Sequence, residues 1–66
     1  MEYNRSYALE RLEFHEKEAD EAKRDLELAT LEGSPDLIEL FTKRYNEETR
    51  FAEAWREAGE QFNGED

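Results

Sequence analysis

Residues 31–35 read Leu31-Glu32-Gly33-Ser34-Pro35 and separate two long stretches that are rich in helix-forming residues. Gly33 can adopt the left-handed backbone conformation that often ends a helix. Ser34 can cap a following helix, and Pro35 is suited to its first position. Because a stop, a cap and a start follow one another directly, this segment predicts a tight turn between two helices.

The stretches on both sides of the turn are long enough for many helical turns. From about Ser6 to the turn there is no Gly or Pro, and either Asn4 or Ser6 can cap the start. We predict helix 1 over about 5–31, the turn over 32–35 and helix 2 over about 35–62. Residues 63–66 are expected to form a mobile tail, and 1–66 a single helical-hairpin domain.

Both stretches repeat apolar or small residues at alternating spacings of four and three, which is the heptad pattern of packed helices. Folding the chain at the turn predicts which positions meet. The facing pairs are Ala29 with Ile38, Leu26 with Phe41, Ala22 with Tyr45, His15 with Ala52, Leu12 with Trp55 and Ala8 with Gly59. Large residues mostly meet small ones, as close packing requires. The predicted fold is therefore all-α, an antiparallel two-helix hairpin.

Apolar residues also lie beside this seam, in excess of what one hairpin can cover. A chain of 66 residues without cysteine has no disulfide and only a small core, so association is the expected source of further stability. We expect a homodimer that forms a four-helix bundle; a monomer docked on another protein and a higher oligomer are the alternatives. The predicted dimer or partner interface is Tyr3, Tyr7, Phe14, Leu28, Leu37, Leu40 and Phe51.

His15 and Glu48 are the polar residues of the two predicted seams, and they lie about one layer apart. A buried polar pair can fix the register of two helices. The other interpretations are a pH-sensing pair, or a catalytic or metal-binding histidine. We favour the register role, or a partly exposed pair at a loosely packed layer, over these interpretations.

The chain is strongly acidic, with 19 Asp and Glu against 9 Lys and Arg and a net charge of −10. Phosphate backbones and anionic lipid surfaces repel such a chain, so direct nucleic-acid or membrane binding is not expected. With no apolar run of membrane-spanning length and no signal-peptide pattern, we expect a cytoplasmic protein. The predicted acidic surface is Glu10, Glu13, Glu18, Asp20, Glu21 and Asp25, interpreted as a solvated helix face.

No constellation for catalysis accompanies these features. The single histidine and the absence of cysteine leave no triad and no His/Cys metal site. No calcium loop or Glu-x-x-His motif occurs either. We expect neither an enzyme nor a cofactor or metal.

The layout resembles the plasmid Rop family, in which a short helical hairpin dimerises into a four-helix bundle with an acidic tail. The run Ala8-Leu9, together with Phe14 and Leu26, occupies positions that suit this layout. In that family an RNA-binding face on helix 1 combines an aromatic with polar and basic side chains. Here the residues around Phe14 are Glu10, Glu18 and Asp25, so RNA binding does not carry over.

The segment Ser34-Pro35-Asp36-Leu37-Ile38-Glu39-Leu40 also resembles small helical-hairpin phosphatases that act on aspartyl phosphates. Those proteins carry a Ser-Gln-x-Leu-Asp motif early in their second helix. This chain has Phe41-Thr42-Lys43-Arg44-Tyr45 instead, so the activity does not carry over.

Two classes of function remain open. The first is a small acidic regulator or inhibitor that binds a nucleic-acid-handling host protein by charge mimicry, as some phage-encoded inhibitors of restriction, CRISPR or transcription machinery do. The second is a structural or assembly module, natural or designed, whose role is self-association as a helical bundle. Dependence of binding on salt, and competition with DNA, would distinguish the first class from the second.

Overall fold

The structure, a computed structural model, describes residues 4–61 and contains two helices in this range. Helix α1 spans Arg5–Glu32 and helix α2 spans Pro35–Gln61. They pack against each other along their length, which confirms the predicted all-helical hairpin. Tyr3, which is predicted to belong to the interface, lies outside the described residues, as do residue 62 of predicted helix 2 and the predicted tail 63–66. Within that range, neither helix is long and apolar enough to cross a membrane.

Asn4 determines where α1 begins. Its backbone is extended, with φ −135° and ψ −179°, and its side-chain oxygen accepts a hydrogen bond from the Tyr7 backbone N–H at 2.8 Å. This bond satisfies one of the amide groups that a helix start leaves unpaired, an arrangement worth about 1 kcal/mol. Of the two caps that the sequence allowed, the structure uses Asn4.

Gly33 ends α1 in the left-handed conformation, with φ 70° and ψ 36°. Its N–H donates to the Thr30 carbonyl and the Ser34 N–H donates to the Ala29 carbonyl, both at 3.1 Å, which is the Schellman pattern of helix termination. A Cβ at Gly33 would meet no atom within 4 Å, so its positive φ is what requires glycine. The Ser34 carbonyl then accepts the first bond of α2, from Ile38 at 3.0 Å.

The seam between the helices is built largely from alanine. The buried residues are Ala8, His15, Ala19, Ala22 and Ala29 on α1 and Ala52 on α2. Ala8 faces Gly59 as predicted, because a Cβ built on Gly59 would lie 3.8 Å from the Ala8 Cβ. Among the described residues no large side chain is fully buried. The larger seam residues, such as Leu26 and Phe41, are half-buried because only one other helix covers them.

Ala22→Glu tests the seam, since Ala22 is fully buried (0% exposed). The added carboxylate would be buried without a partner, so we expect the free energy of unfolding to fall by roughly 3 kcal/mol. Thermal and urea unfolding followed by circular dichroism would measure this loss. The matched control is Asn46→Glu, which adds the same charge at an exposed position of α2. Equal stability of the two variants would contradict the burial of Ala22 in the seam.

Candidate functional site

The hairpin has two broad faces, one on each side of the seam, and contacts between the helices assign residues to them. On the face that we call the front face, Arg44 donates to Glu18 at 2.9 Å. On the opposite, back face, Arg56 donates to Glu16 at 3.1 Å. Such partly exposed ion pairs contribute little stability, but they identify the side chains that share a face.

The front face carries most of the exposed large apolar side chains. Across the described residues, the large apolar side chains that stay more than a third exposed are Leu9, Phe14, Leu28, Leu31, Leu37, Leu40 and Phe51. All of them except Leu9 and Leu31 lie on the front face, where they form two clusters. We call Phe14 and Phe51 the aromatic cluster, and Leu28, Leu37 and Leu40 the leucine cluster.

The aromatic cluster surrounds His15. The imidazole centroid lies 5.1 Å from that of Phe14, edge to face, and 5.1 Å from that of Phe51. The Arg11 guanidinium carbon lies 5.0 Å from the Phe14 ring centroid, which is within the range of a cation–π contact. Phe14 and Phe51 nevertheless remain about half exposed, at 47% and 51%. The cluster thus presents aromatic surface and one cation outward.

The leucine cluster lies beside the turn. Leu28 of α1 and Leu37 of α2 line one shallow groove together with Asp25 and Glu32. Leu40 follows Leu37 by one helical turn, on the same side of α2. Leu28 and Leu40 are each 56% exposed, so this end of the front face is apolar with an acidic margin.

The structure brings the predicted polar residues of the seam into direct contact. The His15 Nδ1 and the Glu48 Oε1 are 2.6 Å apart, and the two side chains are only 10% and 18% exposed. On the other side of the ring, the Nε2 lies 3.5 Å from a nitrogen of Arg11. A guanidinium can only donate hydrogen bonds, so Nε2 accepts and Nδ1 carries the proton that is donated to Glu48. This arrangement ties α1 to α2 at one level of the seam.

Tyr7 is the remaining predicted interface residue among those that the structure describes. Tyr7 is half-buried, and its ring meets Trp55 of α2 edge to face, with the centroids 5.5 Å apart. Tyr7 is therefore less available to a partner than Phe14 or Leu28. The predicted interface did not include Leu9, which is 44% exposed toward the back face, or Leu31, which is 85% exposed on the outer edge of α1. Leu9 lines a groove on the back face with Leu12 and Gly59, and Leu31 lies away from the seam, so only their apolar character could have marked them.

The back face carries rows of exposed carboxylates. Asp20 and Glu53 line a groove along the seam with Ala19 and Ala52, and Glu60 lines its continuation near Gly59. Further carboxylates recur two or four turns along from these on the same side of each helix. The exposed acidic residues of the back face are Glu13, Glu16, Asp20 and Glu27 on α1 and Glu39, Glu53 and Glu60 on α2.

The predicted acidic surface is split by this arrangement. Glu10, Glu13 and Asp20 are exposed, whereas Glu18, Glu21 and Asp25 are half-buried beside the front face. Interpreting all six as one solvated face was therefore too simple. Within residues 4–61, no three His, Cys, Asp or Glu side chains are grouped to hold a metal ion. In the same range every buried polar side-chain atom has a hydrogen-bond partner.

The contacts of His15 predict its tautomer. Long-range ¹H–¹⁵N spectra of the neutral ring should show a protonated Nδ1 and an unprotonated Nε2, because Glu48 accepts from the former and Arg11 donates to the latter. This tautomer is the opposite of the one that predominates in free histidine. In Glu48→Ala the preference should weaken or reverse. A neutral His15 that carries its proton on Nε2 in the native chain would contradict the contacts with Glu48 and Arg11.

No family model, curated protein or solved structure matches the chain. The resemblance to Rop therefore rests on the hairpin layout alone, and the front face, the back face and the His15–Glu48 pair are the features that can support a functional proposal.

Proposed function

We propose that the chain is a protein-interaction module that pairs with a second copy through its front face, forming a four-helix bundle. The observation that carries this proposal is the placement of Phe14, Leu28, Leu37, Leu40 and Phe51, all exposed, on one face of the hairpin. A half-exposed Leu or Phe contributes on the order of 1 kcal/mol when it is removed from water. Exposed apolar side chains that cluster on one face usually mark an interaction surface.

The dimensions of the hairpin support this pairing. Helices of 28 and 27 residues are about 40 Å long, and two of them side by side offer a face on the order of 800 Å². That is the area per partner of a standard protein interface. A second layer of helices would also cover the half-buried side chains at the edges of the alanine seam, which one hairpin leaves partly in water.

Regulatory binding to a basic protein surface is the second function that we propose, favoured by the carboxylate rows of the back face. Asp20, Glu27 and Glu53 are exposed there, and a dimer formed through the front face would leave them accessible. Carboxylates present the same sign of charge as phosphates, so they suit surfaces that otherwise accept nucleic acid. In this proposal the module regulates or inhibits a nucleic-acid-handling protein.

Leu40→Ser tests the dimer. Leu40 is 56% exposed in the hairpin, so its loss should leave the monomer fold intact. A symmetric interface contains two copies of this side chain. We therefore expect the free energy of association to weaken by about 2 kcal/mol, which is roughly a thirtyfold higher Kd. Sedimentation velocity over a wide range of concentrations would measure it.

The matched control is Leu31→Ser, the same substitution at an 85% exposed position on the outer edge of α1. We expect this variant to sediment as the native chain does. A native chain that stays monomeric at high concentration, or equal effects of the two substitutions, would refute front-face dimerisation.

Neutralising the back face tests the regulatory proposal. We expect the triple variant Glu13→Gln, Asp20→Asn, Glu27→Gln to lose at least tenfold in affinity for a captured basic partner at low salt, since long-range attraction depends on these charges. The control neutralises Glu10, Asp36 and Glu57, which are exposed on the outer edges of the helices, and removes the same number of charges.

The measurement is a binding titration at low and high salt, with duplex DNA as competitor. The proposal predicts that DNA displaces the chain and that the back-face variant loses more affinity than the control. Binding that is indifferent to salt, or equal losses in both variants, would overturn it.

A further inference from the structure

We infer that the pairing of two copies is gated by charge. The copies repel each other until cations screen or neutralise their carboxylates, and a basic partner bound to the back faces acts as such a cation. This inference rests on the proposed dimer and the proposed basic partner, and it adds that the partner promotes dimerisation. It holds for any orientation of the second copy, because it depends on the balance of charge and not on which residues meet.

The front face carries more negative than positive charge. Its arginines are Arg11, beside the aromatic cluster, and Arg44, which is already paired with Glu18 at 2.9 Å. The carboxylates that lie on this face or beside it are Glu18, Glu21, Asp25 and Glu47. Within residues 4–61, no ion pair involves the last three of them. Each copy therefore brings three carboxylates outside any described ion pair to the interface.

Charge thus opposes the pairing that the two apolar clusters favour. Each copy has a net charge of −10, so the copies also repel each other as whole bodies. Turning the partner end for end changes which carboxylates meet but leaves both faces with the same excess of negative charge. Like-charge contacts across an interface are unfavourable, so the dimer becomes more stable as these charges are screened or neutralised.

The back-face carboxylates can bind a partner without blocking the dimer. Asp20, Glu27 and Glu53 are exposed on the opposite side of the seam from the front face, so a second copy does not cover them. Two layers of helices are about 20 Å thick in total, which is less than the Debye length of about 30 Å at 10 mM salt. At low salt the two back faces of a dimer therefore repel each other, and a basic partner bound to them relieves this repulsion.

This relief couples the two binding events. A basic partner that strengthens the dimer must itself bind the dimer more tightly than the single hairpin, since coupling between two sites is reciprocal. At about 0.15 M salt the Debye length falls to about 8 Å, and only the carboxylates between the two front faces still repel one another. Low salt and moderate salt therefore separate the whole-chain part of the gate from its front-face part.

Sedimentation of the native chain at two salt concentrations tests the gate. We expect the dimer Kd to be lower by about tenfold or more in 0.5 M than in 10 mM NaCl, because salt screens the repulsion. At moderate salt the front-face variant Glu21→Gln, Asp25→Asn, Glu47→Gln should dimerise more tightly than the native chain. The matched control, Glu10→Gln, Asp36→Asn, Glu57→Gln, removes the same number of charges from the outer edges and should gain much less. Circular dichroism verifies that both variants fold.

Hexalysine at low salt serves as the probe for a basic partner. Added to the native chain, it should lower the dimer Kd severalfold, because it reduces the net charge of each copy. The back-face variant Glu13→Gln, Asp20→Asn, Glu27→Gln should respond less, since it offers the peptide fewer carboxylates. A peptide that raises the dimer Kd would be competing for the front face, and this result would overturn the coupling.

The remaining outcomes separate the failure of this inference from the failure of the proposed functions. A dimer with the same Kd at both salt concentrations, or equal gains in the front-face variant and its control, would overturn the gate and leave the dimer in place. A dimer that responds to salt but not to hexalysine would overturn the coupling to a basic partner. A native chain that sediments as a monomer under every condition would overturn the dimer and the gate together.

Discussion

Close contact of two helices along alanines is the constraint on which the other features of this hairpin depend. Ala22 and Ala29 are almost completely buried, and Ala8 meets a glycine, so little side-chain volume separates the two backbones. The larger apolar residues of the seam, such as Leu26 and Phe41, are only half-buried, and the other large apolar residues lie at the margins. One margin becomes the front face with its aromatic and leucine clusters. The other becomes the acidic back face.

An alanine seam packs well but specifies alignment poorly, since one alanine can replace another after a shift along the helix. The His15–Glu48 hydrogen bond supplies what the alanines lack. Any shift of α1 against α2 would separate the two groups and leave the Nδ1 of His15 and the carboxylate of Glu48 without each other in a nearly buried site, at a cost of roughly 1–3 kcal/mol. Buried polar residues have this role in coiled coils, where they select one register at some expense of stability. The pair also holds Phe14 and Phe51 around a common ring.

The turn and the helices could be predicted from the sequence because their signals are local. The turn contains a glycine that must adopt positive φ, followed directly by a capping residue and a proline. The heptad spacing, counted outward from this turn, then pairs Ala8 with Gly59. His15 and Glu48 belong to neighbouring layers of the seam, and their side chains meet diagonally. The heptad spacing therefore predicted that the two residues lie near each other, but not that they are in direct contact. Tyr7 packs on Trp55, a contact that the facing pairs of the seam did not predict.

The division into front and back faces was harder to foresee, because it depends on the side of the seam to which each flanking side chain points. Glu18, Glu21 and Asp25 were grouped with Glu13 and Asp20 on the basis of charge, although they lie on different sides of α1. The proposed cover of the front face would be a property of a complex, and a pattern within one chain specifies a partner only through complementary shape and charge.

The contact between Tyr7 and Trp55 has a spectroscopic consequence. Trp55 is the single tryptophan of the chain, and it lies toward the open end of the hairpin, where the start of α1 meets the last turns of α2. Its emission therefore reports the separation of the helix ends, whereas circular dichroism averages over both helices. On heating, the transitions followed by Trp55 fluorescence and by circular dichroism coincide only if the hairpin unfolds as one cooperative unit. An earlier fluorescence change marks a hairpin that opens from its ends while the Gly33 turn stays folded.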